Sequence, residues 1–140
     1  MPNSAQSTKE ARQLLPELVP HRQAARNSSR SALLVHALTA DPTLLLEATE
    51  DSLHQEYRRS AFPTSMSLVD ALRGEGWAAV VSGAGPTVLV ITTESAAPDA
   101  AARIRTWTSR RLRRSLHPRS CRSRMQVLQW SQPRSDVTGP

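Results

Sequence analysis

Ser82-Gly83-Ala84-Gly85-Pro86-Thr87 separates two apolar runs, Trp77-Ala78-Ala79-Val80-Val81 and Val88-Leu89-Val90-Ile91. Two short β-branched runs on either side of a Gly/Pro loop predict a pair of buried strands joined by a tight turn. Gly83 and Gly85 give the loop access to positive φ and let another backbone or a ligand come close. Pro86 fixes the exit into the second strand. A loop of this kind presents backbone N–H groups in a concave array, which suits an anion. On spacing alone a plain glycine hairpin is the commoner outcome, because short Gly-rich loops carry little specific information.

Helical patterns lie on both sides of this unit. Thr8 to Leu15 fits a short helix with Thr8 as N-cap and Ala11, Leu14 and Leu15 inward, ended by Pro16. His21 to Thr39 has the spacing of a long helix. Ser31 to Leu38 is apolar nearly all round, so this helix is expected at the centre of the packing. Asn27 and Arg30, three apart, share a face of it. Asp41-Pro42 is an N-cap and N1 pair for a third helix through Ala48. Glu50 to Arg59 continues as a turn or two, and Phe62-Pro63 breaks the chain. Thr64 or Ser65 caps a helix through Arg73, with Gly74 as its stop. After the strand pair, Pro98 to about Leu116 reads as helical, with Ile104, Trp107 and Leu112 on one side. Met125 to Trp130 is a candidate last strand.

Helices and a few strands without strict alternation indicate an α+β fold, with helices on one face of a small antiparallel sheet of three strands. The expected organisation is a domain over residues 1–100. Residues 101–140 follow as an Arg-rich helix, the candidate strand and a tail whose last ten residues read as disordered, like the frayed residues 1–7.

The 140 residues are 39% hydrophobic but only 4% aromatic, so the core rests on Leu, Val, Ala and Ile. No run reaches the roughly 18 apolar residues of a membrane span, and the first residues lack the pattern of a secretory signal. The single cysteine, Cys121, excludes an internal disulfide and a multi-thiolate metal site, and the cytoplasm is the expected compartment. The net charge of +6 is unevenly placed. Ten arginines between Arg103 and Arg134 stand against Asp136 alone, which leaves the first hundred residues at −3. A nucleic-acid-binding module is therefore one reading, with Arg110-Arg111-Leu112-Arg113-Arg114 on phosphates and Trp107 stacking. A solvated basic tail is the preferred one, because no nucleic-acid motif accompanies the run.

The string Ser82 to Ile91 resembles the glycine-rich third motif of the GHMP small-molecule kinases, and its context resembles their homoserine kinase branch. Three further stretches carry the likeness in the same order and approximate spacing. They are Ser7-Thr8-Lys9-Glu10-Ala11-Arg12 with Leu14-Leu15-Pro16; Val19-Pro20-His21 with Asn27, Arg30 and Ala32-Leu33-Leu34-Val35; and Asp51-Ser52-Leu53-His54-Gln55-Glu56-Tyr57-Arg58. The likeness runs from about Ser7 to Ile91. Beyond Thr93 it is weak. A phosphate-cradling string of the kind P-x-x-x-G-L-G-S-S-A, which the resemblance places in an N-terminal domain, does not occur here.

The resemblance implies a ferredoxin-like C-terminal kinase domain and a fragment of an enzyme of threonine biosynthesis. That enzyme moves the γ-phosphoryl group of ATP, with Mg²⁺, to the hydroxyl of L-homoserine. It implies substrate-binding roles for Arg30 and Arg58 on the α-carboxylate, and for His54 and Asn27 beside them. It places Ser82, Gly83, Ala84, Gly85, Pro86 and Thr87 near the transferred phosphate. It implies no catalytic residue and no metal ligand within this chain, and a separate N-terminal kinase half as partner. By residue type alone, Arg30 and Arg58 are surface arginines. Their value as carboxylate receptors lies in the planar guanidinium, which pairs both oxygens at once. A non-catalytic small-molecule-binding domain that kept the amino-acid pocket is the remaining alternative.

Overall fold

The structure, a computed structural model, describes residues 8–114 and 125–130. Its helices are α1 (Thr8–Gln13), α2 (His21–Thr39), α3 (Leu45–Ala48), α4 (Pro63–Gly74) and α5 (Ala97–Arg114), and its strands β1 (Ala78–Val81), β2 (Val88–Thr93) and β3 (Met125–Trp130). Short 3-10 turns at Pro42–Leu44 and Glu56–Arg58 precede α3 and α4. The expectations for residues 1–7, the last ten residues, Cys121 and the side chain of Leu112 lie outside the described residues.

Residues Ala78, Ala79, Val80 and Val81 pair antiparallel with Ile91, Val90, Leu89 and Val88. The third strand joins on the far side of β2 and runs parallel to it, Val88 opposite Met125 through Thr93 opposite Trp130. The sheet is thus antiparallel at the loop end of the hairpin and mixed as a whole. The cause is α5: a strand reached through a long helical crossover returns in the direction of the strand it left.

Side chains alternate across the pleat. Ala79, Val88 and Val90 turn to one face, where Leu68, Val69 and Leu72 of α4 meet Ala100 and Ile104 of α5 in the main core. Each fully buried Leu or Val there contributes about 1.5–3 kcal/mol. Helix α5 runs unbroken from Ala97 to Arg114, and its Ala100 and Ile104 both enter this core. Ala78 and Ile91 turn the other way and meet Ala37 of α2 with Leu45 and Ala48 of α3. Helices therefore cover both faces, not one. The unbroken apolar run Trp77–Val81 is the signature of a strand buried on both sides.

Helix α2 is peripheral, against expectation. Only Ala37 is buried, and Val35 is 64% exposed. Its Leu33, Leu34 and Leu38 pack partly against the small second cluster, while α4 holds the centre. The start of α4 also differs. Pro63 is its first residue and Phe62 its N-cap, because a proline at N1 has its φ preset for a helix. Ser65 is buried inside the first turn and is not a cap. The stop is Gly76, not Gly74. Gly76 has φ +90°, its N–H donates to the Arg73 carbonyl at 3.0 Å, and Trp77 N–H donates to the Leu72 carbonyl at 3.0 Å. That pair of bonds is a Schellman cap, and Trp77 beyond it packs against the cluster that holds Leu72.

β1 is an edge strand, and side chains close its outer edge. Arg73 donates to the Ala79 carbonyl at 3.2 Å, and the Val81 N–H donates to Gln55 Oε1 at 2.7 Å. Occupied edge groups cannot template another strand.

Candidate substrate-facing site

The glycine loop is built as the sequence leads one to expect. Gly83 takes φ +58° and Gly85 φ +86°, and the Gly85–Pro86 peptide is cis. Ser82 N–H donates to the Thr87 carbonyl at 2.8 Å, and Gly85 N–H to the Ser82 carbonyl at 3.1 Å. Gly83 is exposed, and the other loop residues are half-buried. Two side chains reach the loop's carbonyls. Ser65 Oγ donates to Pro86 at 2.6 Å, and Arg58 Nη1 donates to Gly83 at 3.0 Å. The Phe62 ring lies against Gly85 so closely that a Cβ there would sit 2.6 Å from Cε2.

Before the 3-10 turn, Asp51 organises the chain. Its Oδ1 accepts from the N–H groups of Leu53 (2.8 Å) and His54 (3.1 Å), and its Oδ2 from that of Gln55 (3.0 Å). A carboxylate taking several backbone N–H groups pins such a turn. His54, exposed, has Nδ1 3.3 Å from Asp51 Oδ1, and so shares no partner with Arg58. Asn27 Oδ1 accepts from Ser52 N–H at 3.0 Å, tying α2 to this turn. Arg58 also donates through Nε to the Ala11 carbonyl of α1 at 3.4 Å. The structure thus gathers Asn27, His54, Arg58 and the loop Ser82–Thr87 along one continuous path of contacts.

Arg30 sits apart from that path. Its Nη1 lies 2.7 Å from Glu47 Oε1, and its Nε donates to Glu50 Oε2 at 3.1 Å. Arg26 shares the same Glu50 oxygen at 2.6 Å. Burial acts to raise the Glu50 carboxyl, but the hydrogen bonds from Arg26 and Arg30 outweigh it and hold the group below its ordinary range. A shallow cleft of about 260 Å³ opens beside Glu50, bordered by Arg26, Asp51, Gln55, Arg59 and Arg73. Within it, Arg59 is bound by Glu56 and by Asp70 at 2.7 Å each. Those two partners raise the Arg59 guanidinium, and the hydrogen bond from Arg59 lowers the Glu56 carboxyl against burial and the Asp70 charge.

Sequence reasoning passed over two residues. Gln55 holds the strand that leads into the loop. Arg73, half-buried, donates to Thr49 Oγ1 at 2.9 Å, the Leu46 carbonyl at 2.6 Å and the Ala79 carbonyl. Burial pushes its guanidinium down, with Glu50 opposing. A basic residue in the last turn of a helix is the only signal that pointed to it, and it normally serves its own helix end. Here it serves that of α3. Among the described residues, no cluster of three His, Cys, Asp or Glu is placed to hold a metal ion, and no helix is long and apolar enough to cross a membrane.

Residues 31–108 match the model of the family described as GHMP kinases C terminal. The chain is similar to the homoserine kinase of Streptomyces avermitilis, 55% identical over 114 residues, which is 80% of this chain and 37% of that protein. It is 52% identical over 113 residues to the homoserine kinase of Streptomyces coelicolor, again 80% of this chain and 37% of the relative. With that of Rhodococcus erythropolis it shares 56% over 94 residues, 67% of this chain and 30% of the relative. The chain therefore spans about a third of the length of the curated relatives it matches. It belongs to the GHMP kinase C-terminal family.

Proposed function

We propose that this member of the GHMP kinase C-terminal family supplies the amino-acid side of a homoserine kinase of threonine biosynthesis. The observation that carries the reading is the Arg58–Gly83 hydrogen bond at 3.0 Å. It joins the segment assigned to the amino acid with the loop assigned to the phosphate, so a hydroxyl held by the first faces the second. Arg58 receives the α-carboxylate of L-homoserine, and a guanidinium pairs both its oxygens; Arg30, already held by Glu47 and Glu50, is the weaker candidate for that role. Asn27 and His54 border the amino acid. Ser82 to Thr87 lie against the transferred group.

The 140 residues contain no Gly-Leu-Gly-Ser-Ser phosphate cradle. Phosphoryl transfer depends on such positioning and charge neutralisation. We therefore assign ATP and Mg²⁺ to a complementary N-terminal half, with which this chain acts in the cytoplasm. The test is a coupled ADP-release assay with homoserine and Mg-ATP. This chain by itself should stay at background. Joined to the part of the Streptomyces avermitilis homoserine kinase that it does not match, it should turn over homoserine. Robust turnover by the chain alone would overturn the assignment of ATP. A folded, nucleotide-binding chimera that ignores homoserine would overturn the assignment of the substrate.

A further inference from the structure

One row of side chains grips the loop Ser82–Thr87. Gln55, Arg58, Phe62 and Ser65 follow one another at intervals of three, four and three residues. Gln55 and Arg58 belong to the 3-10 turn Glu56–Arg58 and its N-cap, and Phe62 and Ser65 to the N-cap and first turn of α4. From one end to the other the row meets the Val81 N–H, the Gly83 carbonyl, the space where a Cβ of residue 85 would sit and the Pro86 carbonyl. Arg58 and Ser65 are donors that fix two carbonyls. Gln55 accepts, and it fixes the last N–H of β1 at an edge where no strand among the described residues pairs with it.

Gln55 is itself fixed from behind. Its own N–H donates to Asp51 Oδ2 at 3.0 Å, and Asn27 pins the neighbouring Ser52 N–H. The turn from Asp51 to Arg58 and the glycine loop therefore move together or not at all. We propose that Gln55 is a positioning residue that sets the conformation of the glycine loop from the turn Asp51–Arg58. This rests on the reading that the loop faces a phosphate and the turn an amino acid. The loop's order should then depend on one side-chain oxygen outside it.

The test is amide hydrogen exchange on the 140-residue chain, with a pyrophosphate titration followed by amide shifts. Gln55→Leu keeps the side chain's bulk and removes the acceptor. It should speed exchange at Ser82 and Gly85 roughly three- to tenfold, the worth of one net hydrogen bond. Val90, in the core of β2, should keep its rate. Gln55→Glu retains an acceptor and should stay within about twofold of the unsubstituted chain. Should Gln55→Leu not fold, Gln55→Asn withdraws the oxygen by one methylene, with the same expectation. Pyrophosphate shifts at Gly83 and Ala84 should weaken along with loop order. Unchanged exchange at Ser82 and Gly85 would overturn the proposal. So would a matching acceleration at Val90, which marks a general loss of stability. Pyrophosphate shifting no loop amide in the unsubstituted chain would instead overturn the phosphate reading, with the exchange ratio still deciding the role of Gln55.

Discussion

Gly83→Ala and Gly85→Ala form a matched pair that separates two costs. Both positions have positive φ, +58° and +86°. A Cβ in the left-handed region costs about 1–2 kcal/mol at either one. The surroundings differ. At Gly83 a Cβ meets nothing within 4 Å, whereas at Gly85 it lies 2.6, 2.7 and 3.0 Å from three carbons of the Phe62 ring. Phe62 is only 7% exposed, so its ring has little room to swing away. Forcing a methyl into such packing adds about 1–3 kcal/mol. Gly83→Ala should therefore cost about 1–2 kcal/mol, and Gly85→Ala about 2–5 kcal/mol. Urea melts followed by circular dichroism measure both, with the slope checked for constancy. Phe62→Leu in the Gly85→Ala background provides a second handle. It removes the ring edge and leaves the backbone strain, so the coupling between the two changes should favour the double variant by about 1 kcal/mol or more. Equal losses for the two alanine variants, or strict additivity with Phe62→Leu, would refute the claim that the ring and the loop are fitted to each other.

Three further outcomes follow from the same contacts. Arg73→Met keeps the aliphatic stem but strips the Leu46 and Ala79 carbonyls and Thr49 of their donor; melts should show a loss of about 1–3 kcal/mol, against little for the exposed Arg26→Met. Glu50 is depressed in the folded chain, so its contribution is full above the unfolded carboxylate value of about 4.3 and fades as pH falls through the folded one. Glu50→Gln should accordingly narrow the stability difference between about pH 7 and about pH 3, and an unchanged difference in urea melts would discount the Arg26–Glu50–Arg30 cluster. In the active chimera, Arg58→Ala should raise the KM for homoserine about thirtyfold or more with little change for ATP, and Arg58→Lys should recover only part of it. Saturation by homoserine unaltered in Arg58→Ala would remove that residue from the carboxylate site.

The elements legible in the sequence were those fixed by neighbours along the chain. His21–Thr39 begins after Pro20 and keeps a helical spacing, and its bounds are those of the structure. Asp41 accepts from Thr43 N–H at 3.0 Å and from its hydroxyl at 2.6 Å, as a local cap does, and the hydroxyl above all lowers the carboxyl. What escaped depended on distant partners. Ser31–Leu38 reads as buried because its residues are apolar, but Val35 finds nothing to cover it among the described residues. The direction of β3 follows from the crossover, not from the residues of Met125–Trp130. Gly74 and Gly76 are equally good stops on paper; the carbonyls of Leu72 and Arg73 choose the second.

The same division runs through the candidate site, and it separates two arginines that looked alike. Arg30 and Arg58 carry the same resemblance, and nothing near either in sequence tells them apart. Seventeen and twenty residues past Arg30, tertiary packing brings Glu47 and Glu50 onto its guanidinium. With Arg26 on the same oxygen of Glu50, two cations face two anions, and the cluster is neutral before any ligand arrives. Arg58 instead donates to two carbonyls, Ala11 and Gly83, which orient it without cancelling its charge. A carboxylate approaching Arg30 must compete with carboxylates already in place, whereas one approaching Arg58 meets an oriented cation that pairs with no carboxylate among the described residues, beside the exposed Gly83. The charge balance thus ranks Arg58 above Arg30 as receptor for an anionic substrate, and gives Arg30 the further work of tying α2 to α3.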